Sequence, residues 1–111
     1  MSHWRVSTAM DRSARKLEGD DSETSNLLYA LGHQLRRRIL KVVAGEKEIS
    51  PAEISKLLPH PLSDVSYHTR VLAECGAIEL VRTGPVRGAT QHFYRLSLET
   101  EWARLVLGLR P

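Results

Sequence analysis

The sequence predicts a mainly α domain with a small β-hairpin wing, a winged helix-turn-helix, and three observations carry that prediction. Between Ser50 and Gly76 lie two helix-start signals separated by one breaker. Beyond Gly76, two strand-like runs, Ala77 to Val81 and Thr90 to Leu96, flank Thr83 to Ala89, which holds two glycines and a proline. Upstream, Ser22 to Ala44 supplies two further stretches of helical period.

The centre of the chain is the most strongly punctuated. Ser50, Pro51 at a first helical position and Glu53 three residues on form a capping box, so a short helix starts at Pro51. Pro59 ends it, because it lacks an amide hydrogen and disfavours helical geometry in Leu58; the chain then turns through His60 and Pro61. Leu62 is expected to plug that turn, and Ser63 to cap the next helix. At about 100° per residue, Val65, His68, Thr69, Leu72 and Cys75 share one face, and Ser63, Ser66, Tyr67, Arg70 and Glu74 the other. The first face is apolar enough to pack; the second is rich in donors and acceptors. Gly76 fits the left-handed residue that stops many helices. Two helices, a tight turn and a following hairpin match the geometry in which the second helix enters the DNA major groove.

From about Leu31 to Leu96 these residues resemble the ArsR-type family of bacterial winged-helix repressors. LGHQLRRRIL resembles the opening helix, SPAEISKLL the first motif helix, and SDVSYHTRVLAECGAIELVR the recognition helix and first wing strand. Val65, Ser66, His68, Leu72 and Gly76 match the recurring VSxHxxxL...G pattern. Two positions depart from it: Pro59 stands where the family usually has glycine, and Thr69 where it usually has a large apolar residue. The resemblance implies a homodimeric repressor that blocks promoter access, with double-stranded DNA, as an inverted-repeat operator, for its partner.

Bulk properties fit that picture. The chain has 111 residues, 41% hydrophobic and 26% charged, which bounds it to one small globular domain. A domain of this size buries only about 60 to 68% of its unfolded surface, so a second copy would help it fold. The net charge of +3 is compatible with nucleic acid. No apolar run reaches the roughly 18 residues of a membrane span, and no signal-peptide core opens the sequence, so the expected address is the bacterial cytoplasm. Residues 1–21 show no period and are expected to form a flexible tail, with Trp4 either docked or incidentally exposed; residues 22–110 form the domain.

In the domain, Ser22 is expected to cap a helix carrying Leu27, Leu28 and Leu31 that ends at Gly32. His33 to Ala44 follows, with Leu35, Ile39, Val42 and Val43 inward and Arg36, Arg37, Arg38 and Lys41 on the other face. Those cations are either a solvated face or contacts to phosphates flanking the groove, and would carry little base information. Ile49 is expected to pair with the wing, while Ile54, Leu57 and Leu58 close the core.

For base reading the candidates are Ser63, Ser66, Tyr67 and Arg70, since hydroxyls meet several base edges and arginine pairs in bidentate fashion with guanine. His68, facing inward, is read as a structural hydrogen-bonding residue, and Glu74 as facing away from the DNA backbone. In the wing, Arg82 and Arg87 are candidates for the backbone or minor groove, with Arg87 near the hairpin tip. Gln91, Phe93 and Arg95 alternate with His92, Tyr94 and Leu96; the alternation does not choose which set packs inward.

Ser97 is expected to start a last helix with one apolar stripe, Leu98, Trp102, Leu105, Val106 and Leu109, which either packs on its own core or, as the resemblance implies, forms a dimer interface with Leu27, Leu28 and Leu31. Cys75 reads as a core residue rather than a redox sensor. The histidines show no ligand spacing and the last helix holds none, so no metal and no cofactor is expected. No effector is legible. Alternatives from other classes are a winged-helix protein-interaction module meeting an acidic partner through Arg36 to Arg38, and a metal-responsive repressor. No catalytic constellation stands out, so an enzyme is not expected.

Overall fold

The computed structural model describes residues 18–109; Trp4 and most of the expected tail lie outside them. The elements run α1 (Glu18–Leu31), α2 (Gln34–Ala44), α3 (Pro51–Leu57), α4 (Leu62–Glu74), β1 (Ile78–Val86), β2 (Ala89–Leu96) and α5 (Glu101–Val106). The helix expected from Ser22 already includes Glu18, so Ser22 lies inside it and caps nothing.

Helix α1 buries Leu27, Ala30 and Leu31 at i, i+3 and i+4, and leaves Leu28 and Tyr29 more than half exposed. It stops at Gly32, whose amide donates to the Tyr29 carbonyl. His33 then caps α2 through its own ring: Nδ1 accepts from the Leu35 amide at 3.1 Å. Leu35, Ile39, Leu40 and Val43 are buried, and Val42 packs against that core from its edge. The carbonyls at the end of α1 have no partner within their own helix, and two arginines of α2 satisfy them. Arg36 reaches Tyr29 and Ala30, and Arg37 reaches Leu31.

At α3 the expected capping box is present. The Ser50 amide donates to Glu53 Oε1 at 2.9 Å and the Glu53 amide to Ser50 Oγ at 3.3 Å. Such a cap contributes about 1 kcal/mol. Ile54 is buried, but Leu57 is 59% exposed rather than part of the core. The turn that follows holds Pro59 at φ 23°.

Helix α4 is capped differently from expectation. It begins at Leu62, and the Pro61 carbonyl accepts from the Asp64 and Val65 amides; no side chain caps it, and Ser63 sits inside the first turn. Leu62 is 49% exposed and so does not plug the turn. Val65, Thr69, Val71 and Leu72 are buried. The Thr69 hydroxyl, where an apolar side chain would need no partner, donates to the Ser66 carbonyl at 2.9 Å. Gly76 has φ 81° and the Ala77 amide returns to the Leu72 carbonyl, the glycine stop expected there.

The wing is longer than the sequence suggested. Antiparallel pairing continues through Pro85↔Thr90 and Val86↔Ala89 to a two-residue turn at Arg87 and Gly88, with φ 52° and 83°. Val81 has no partner in the register, which shifts between Leu80 and Arg82. Ile49 pairs with Tyr94 through two 2.9 Å backbone bonds, as expected, and this docks β2 on the helices. Tyr94 and Leu96 consequently pack on the core, which resolves the choice between the two faces of β2.

Helix α5 is shorter than expected. It starts at Glu101, not Ser97, and buries Ala103; Leu98 in the segment before it and Leu107 just after it are buried as well. No helix of the described residues is long and apolar enough to cross a membrane.

Candidate nucleic-acid interface

The exposed face of α4 carries the residues singled out for it. Ser63, Tyr67, Arg70 and Glu74 are exposed and Ser66 is half-buried, while Val65, Thr69 and Leu72 face the core. The Arg70 guanidinium carbon lies 5.9 Å from the Tyr67 ring centroid, so the two side chains share one patch. At the helix start, His60 Nε2 and Asp64 Oδ2 are 3.8 Å apart.

Between α4 and the wing runs an open groove. Leu62, Ser66, Thr69 and Arg70 form one wall; Thr90, Gln91 and His92 form the other, with the start of α3 at Pro51 and Ala52 closing the end. The β2 residues were missed as candidates because alternation alone did not say which way they face. The register against Ile49 supplies that information.

The basic residues divide sharply. Arg38 and Lys41 are exposed on α2, and Arg87 is exposed at the hairpin turn. Arg36 is only 7% exposed, so its expected phosphate contact is corrected: its guanidinium already serves the end of α1. Arg37 is half-buried and engaged at the Leu31 carbonyl. Arg82 is held by Glu48, with Nε donating at 2.7 Å, and its guanidinium lies 4.0 Å from the Phe93 ring centroid. Arg95 pairs with Glu79 across the hairpin.

His68 is half-buried behind the reading face, as expected of a structural residue. Arginine can only donate, so the 3.3 Å contact from Arg36 Nη1 makes His68 Nδ1 an acceptor and puts the ring proton on Nε2. The His33 ring is 4.5 Å from it, centroid to centroid, and also accepts at Nδ1. Burial first, then His33 and Arg36, hold the His68 pKa below its ordinary value. Burial pushes the Cys75 thiol up, which keeps it protonated at neutral pH. Among the described residues no three His, Cys, Asp or Glu side chains converge as metal ligands would.

The expected dimer residues also divide. Leu27, Leu31 and Leu98 are buried within the chain, and Leu109 packs on the core from its edge. That corrects their placement at a surface. Leu28, Trp102, Leu105 and Val106 remain 57%, 37%, 64% and 56% exposed, and Tyr29 joins them at 55%.

Five helices among the described residues, with a helix-turn-helix at α3 and α4 and a two-stranded hairpin after the second of these, define a winged helix-turn-helix fold. Residues 31–81 match a family model described as a helix-turn-helix domain. No curated protein matches the chain. Among solved structures, reduced HlyU from Vibrio cholerae aligns with TM-score 0.62 and 22% identity over 85% of this chain and 90% of that one. A homodimeric winged helix-turn-helix DNA-binding domain from Mycobacterium bovis, a possible ArsR-family transcriptional regulator, aligns with TM-score 0.64 and 22% identity over 88% and 80%. NolR from Sinorhizobium fredii aligns with TM-score 0.58 and 19% identity over 97% and 91%. These similarities agree with the resemblance seen in the sequence, and they show a winged helix-turn-helix fold.

Proposed function

We propose that the protein is a sequence-specific DNA-binding transcriptional regulator acting as a homodimeric repressor. The observation that carries this reading is the exposed Ser63, Tyr67 and Arg70 face of α4, lying beside a groove whose far wall is the wing. Helix α4 enters the major groove, where Arg70 pairs with guanine and the hydroxyls of Ser63, Ser66 and Tyr67 contact base edges. Arg38, Lys41 and Arg87 hold the flanking backbone or minor groove; Arg36 and Arg37 are left out because the fold already uses them.

A second copy covers the exposed apolar residues Leu28 and Tyr29 on α1 and Trp102, Leu105 and Val106 on α5. Two-fold symmetry then doubles a short half-site, and a bound dimer blocks promoter access. Selection of the purified protein against random duplexes tests this. An enriched inverted repeat with half-sites about one helical turn apart is the expected result. Sequence-blind binding, or none, overturns it, and absence of binding favours a protein-interaction module.

A further inference from the structure

Four side chains form a continuous path from the exposed side of α1 to the reading face. Tyr29 is exposed on α1, and the Arg36 guanidinium carbon lies 4.7 Å from the centroid of its ring. Arg36 Nη2 donates to the Tyr29 carbonyl at 2.7 Å, Nε donates to Ala30 at 3.2 Å, and Nη1 donates to His68 Nδ1. His68 in turn meets the Tyr67 ring edge-on, 5.1 Å between centroids. One buried cation thus binds the end of α1 and the middle of α4 at once.

We propose that Arg36 and His68 form a positioning link that couples the α1 surface to the pose of Tyr67 on α4, and that protonation of His68 breaks it. The inference rests on the DNA-binding reading above. Nδ1 is the atom that accepts from Arg36; once it carries a proton it has no lone pair to offer, and a cationic ring then faces a cationic guanidinium. The groups around the ring are His33 at the start of α2, Arg36 on α2, His60 in the turn before α4, and Asp64 one turn back on α4. Three of these oppose a second positive charge, and Asp64 alone favours it. The ring is therefore neutral with the link closed at neutral pH, and charged with the link open in acid.

The test uses the full chain, the duplex enriched in selection, and two variants. His68→Gln keeps a side-chain acceptor but does not titrate; Arg36→Lys keeps the charge but loses the fork that reaches both helices. From about pH 7.5 down to about pH 5 at fixed ionic strength, wild-type affinity should fall about threefold or more relative to His68→Gln, and the fall should begin only below the ring's ordinary pKa of 6.5. The ratio is the readout, because any pH effect that does not pass through His68 acts on both proteins alike. Arg36→Lys should lose about fivefold or more at neutral pH with unchanged dimer mass. Should that variant not fold, the pH ratio still decides.

Nitrogen-15 NMR of the histidine rings checks the link without DNA. A bare Nδ1 on His68 at neutral pH supports it, and a protonated Nδ1 overturns it, as do parallel pH profiles. If the tautomer is as stated but no duplex is bound by any variant, the DNA-binding reading has failed and the coupling to a DNA pose falls with it, while the Arg36 to His68 bond stands.

Discussion

Arg82 and Phe93 face each other across the hairpin, guanidinium over ring, at the register shift that follows Leu80. Glu48, from the turn before α3, takes the same guanidinium, so the base of the wing is tied to that turn. Glu48→Gln should release it. An exposed pair of this kind contributes about 0 to 1 kcal/mol, so the melting temperature should barely change. Affinity for any duplex should rise and its salt slope steepen by about one, because one more phosphate contact forms. Unchanged salt slopes for Glu48→Gln would show that Arg82 cannot reach DNA even when freed.

Base reading and simple attraction separate by mutation. Arg70→Ala should cost roughly 1 to 3 kcal/mol on the selected site and relax base preference there. Arg38→Ala should weaken all duplexes alike and flatten the salt dependence by about one. Binding titrations on selected and random duplexes at two salt concentrations provide the comparison. Equal losses on both duplexes for both variants would remove Arg70 from the reading face.

The apolar residues of the last segment divide between buried and exposed positions, and mutations should sort their roles. Leu105→Glu places a charge on the exposed surface and should convert dimers to monomers in sedimentation equilibrium while leaving the helical content intact. Leu98→Ala removes a buried side chain and should lower stability by about 2 to 5 kcal/mol in denaturant titration. A monomer for wild type at high concentration would show that a second copy does not cover this surface.

The features legible in the sequence are those whose causes are local. Ser50, Pro51 and Glu53 build their cap from residues within one turn, and the Gly76 stop needs only a residue that tolerates positive φ. The two faces of α4 follow from its own period. What the sequence hid depends on distant neighbours. Three consecutive arginines on a helix read as charged surface, yet Arg36 is buried because the carbonyls at the end of α1 lie above it. Leu27 and Leu28 look alike in sequence, and only packing shows that one belongs to the core and the other to solvent. The stripe from Leu98 fails as one helix because Ser97 to Thr100 is not helical, which shifts the phase so that Ala103 and Leu107 turn inward.

The turn between α3 and α4 stores strain. Pro59 sits at φ 23°, while the pyrrolidine ring favours about −65°. Glycine has no such restriction, and the family resemblance places glycine at this position. Pro59→Gly loses chain rigidity in the unfolded state, worth about 0.4 to 1 kcal/mol, but relieves a backbone strain of about 1 to 3 kcal/mol. The expected outcome is a net gain of about 1 kcal/mol, read as a higher denaturant midpoint at unchanged slope. A lower midpoint would mean that the turn holds no strain for glycine to release.

Acid should weaken the fold through His68. Its pKa in the folded protein lies below the ordinary value of 6.5, chiefly from burial and then from His33 and Arg36. The unfolded ring takes a proton at about 6.5, where the folded ring still resists it, so the unfolded state binds more protons in that window. Stability from this residue is therefore complete above about 6.5 and is lost as pH falls through the lower, folded value. His68→Gln removes the titration, and the difference in unfolding free energy between wild type and variant should shift in the variant's favour below that pH. A constant difference across the range would show that His68 titrates alike in folded and unfolded chains.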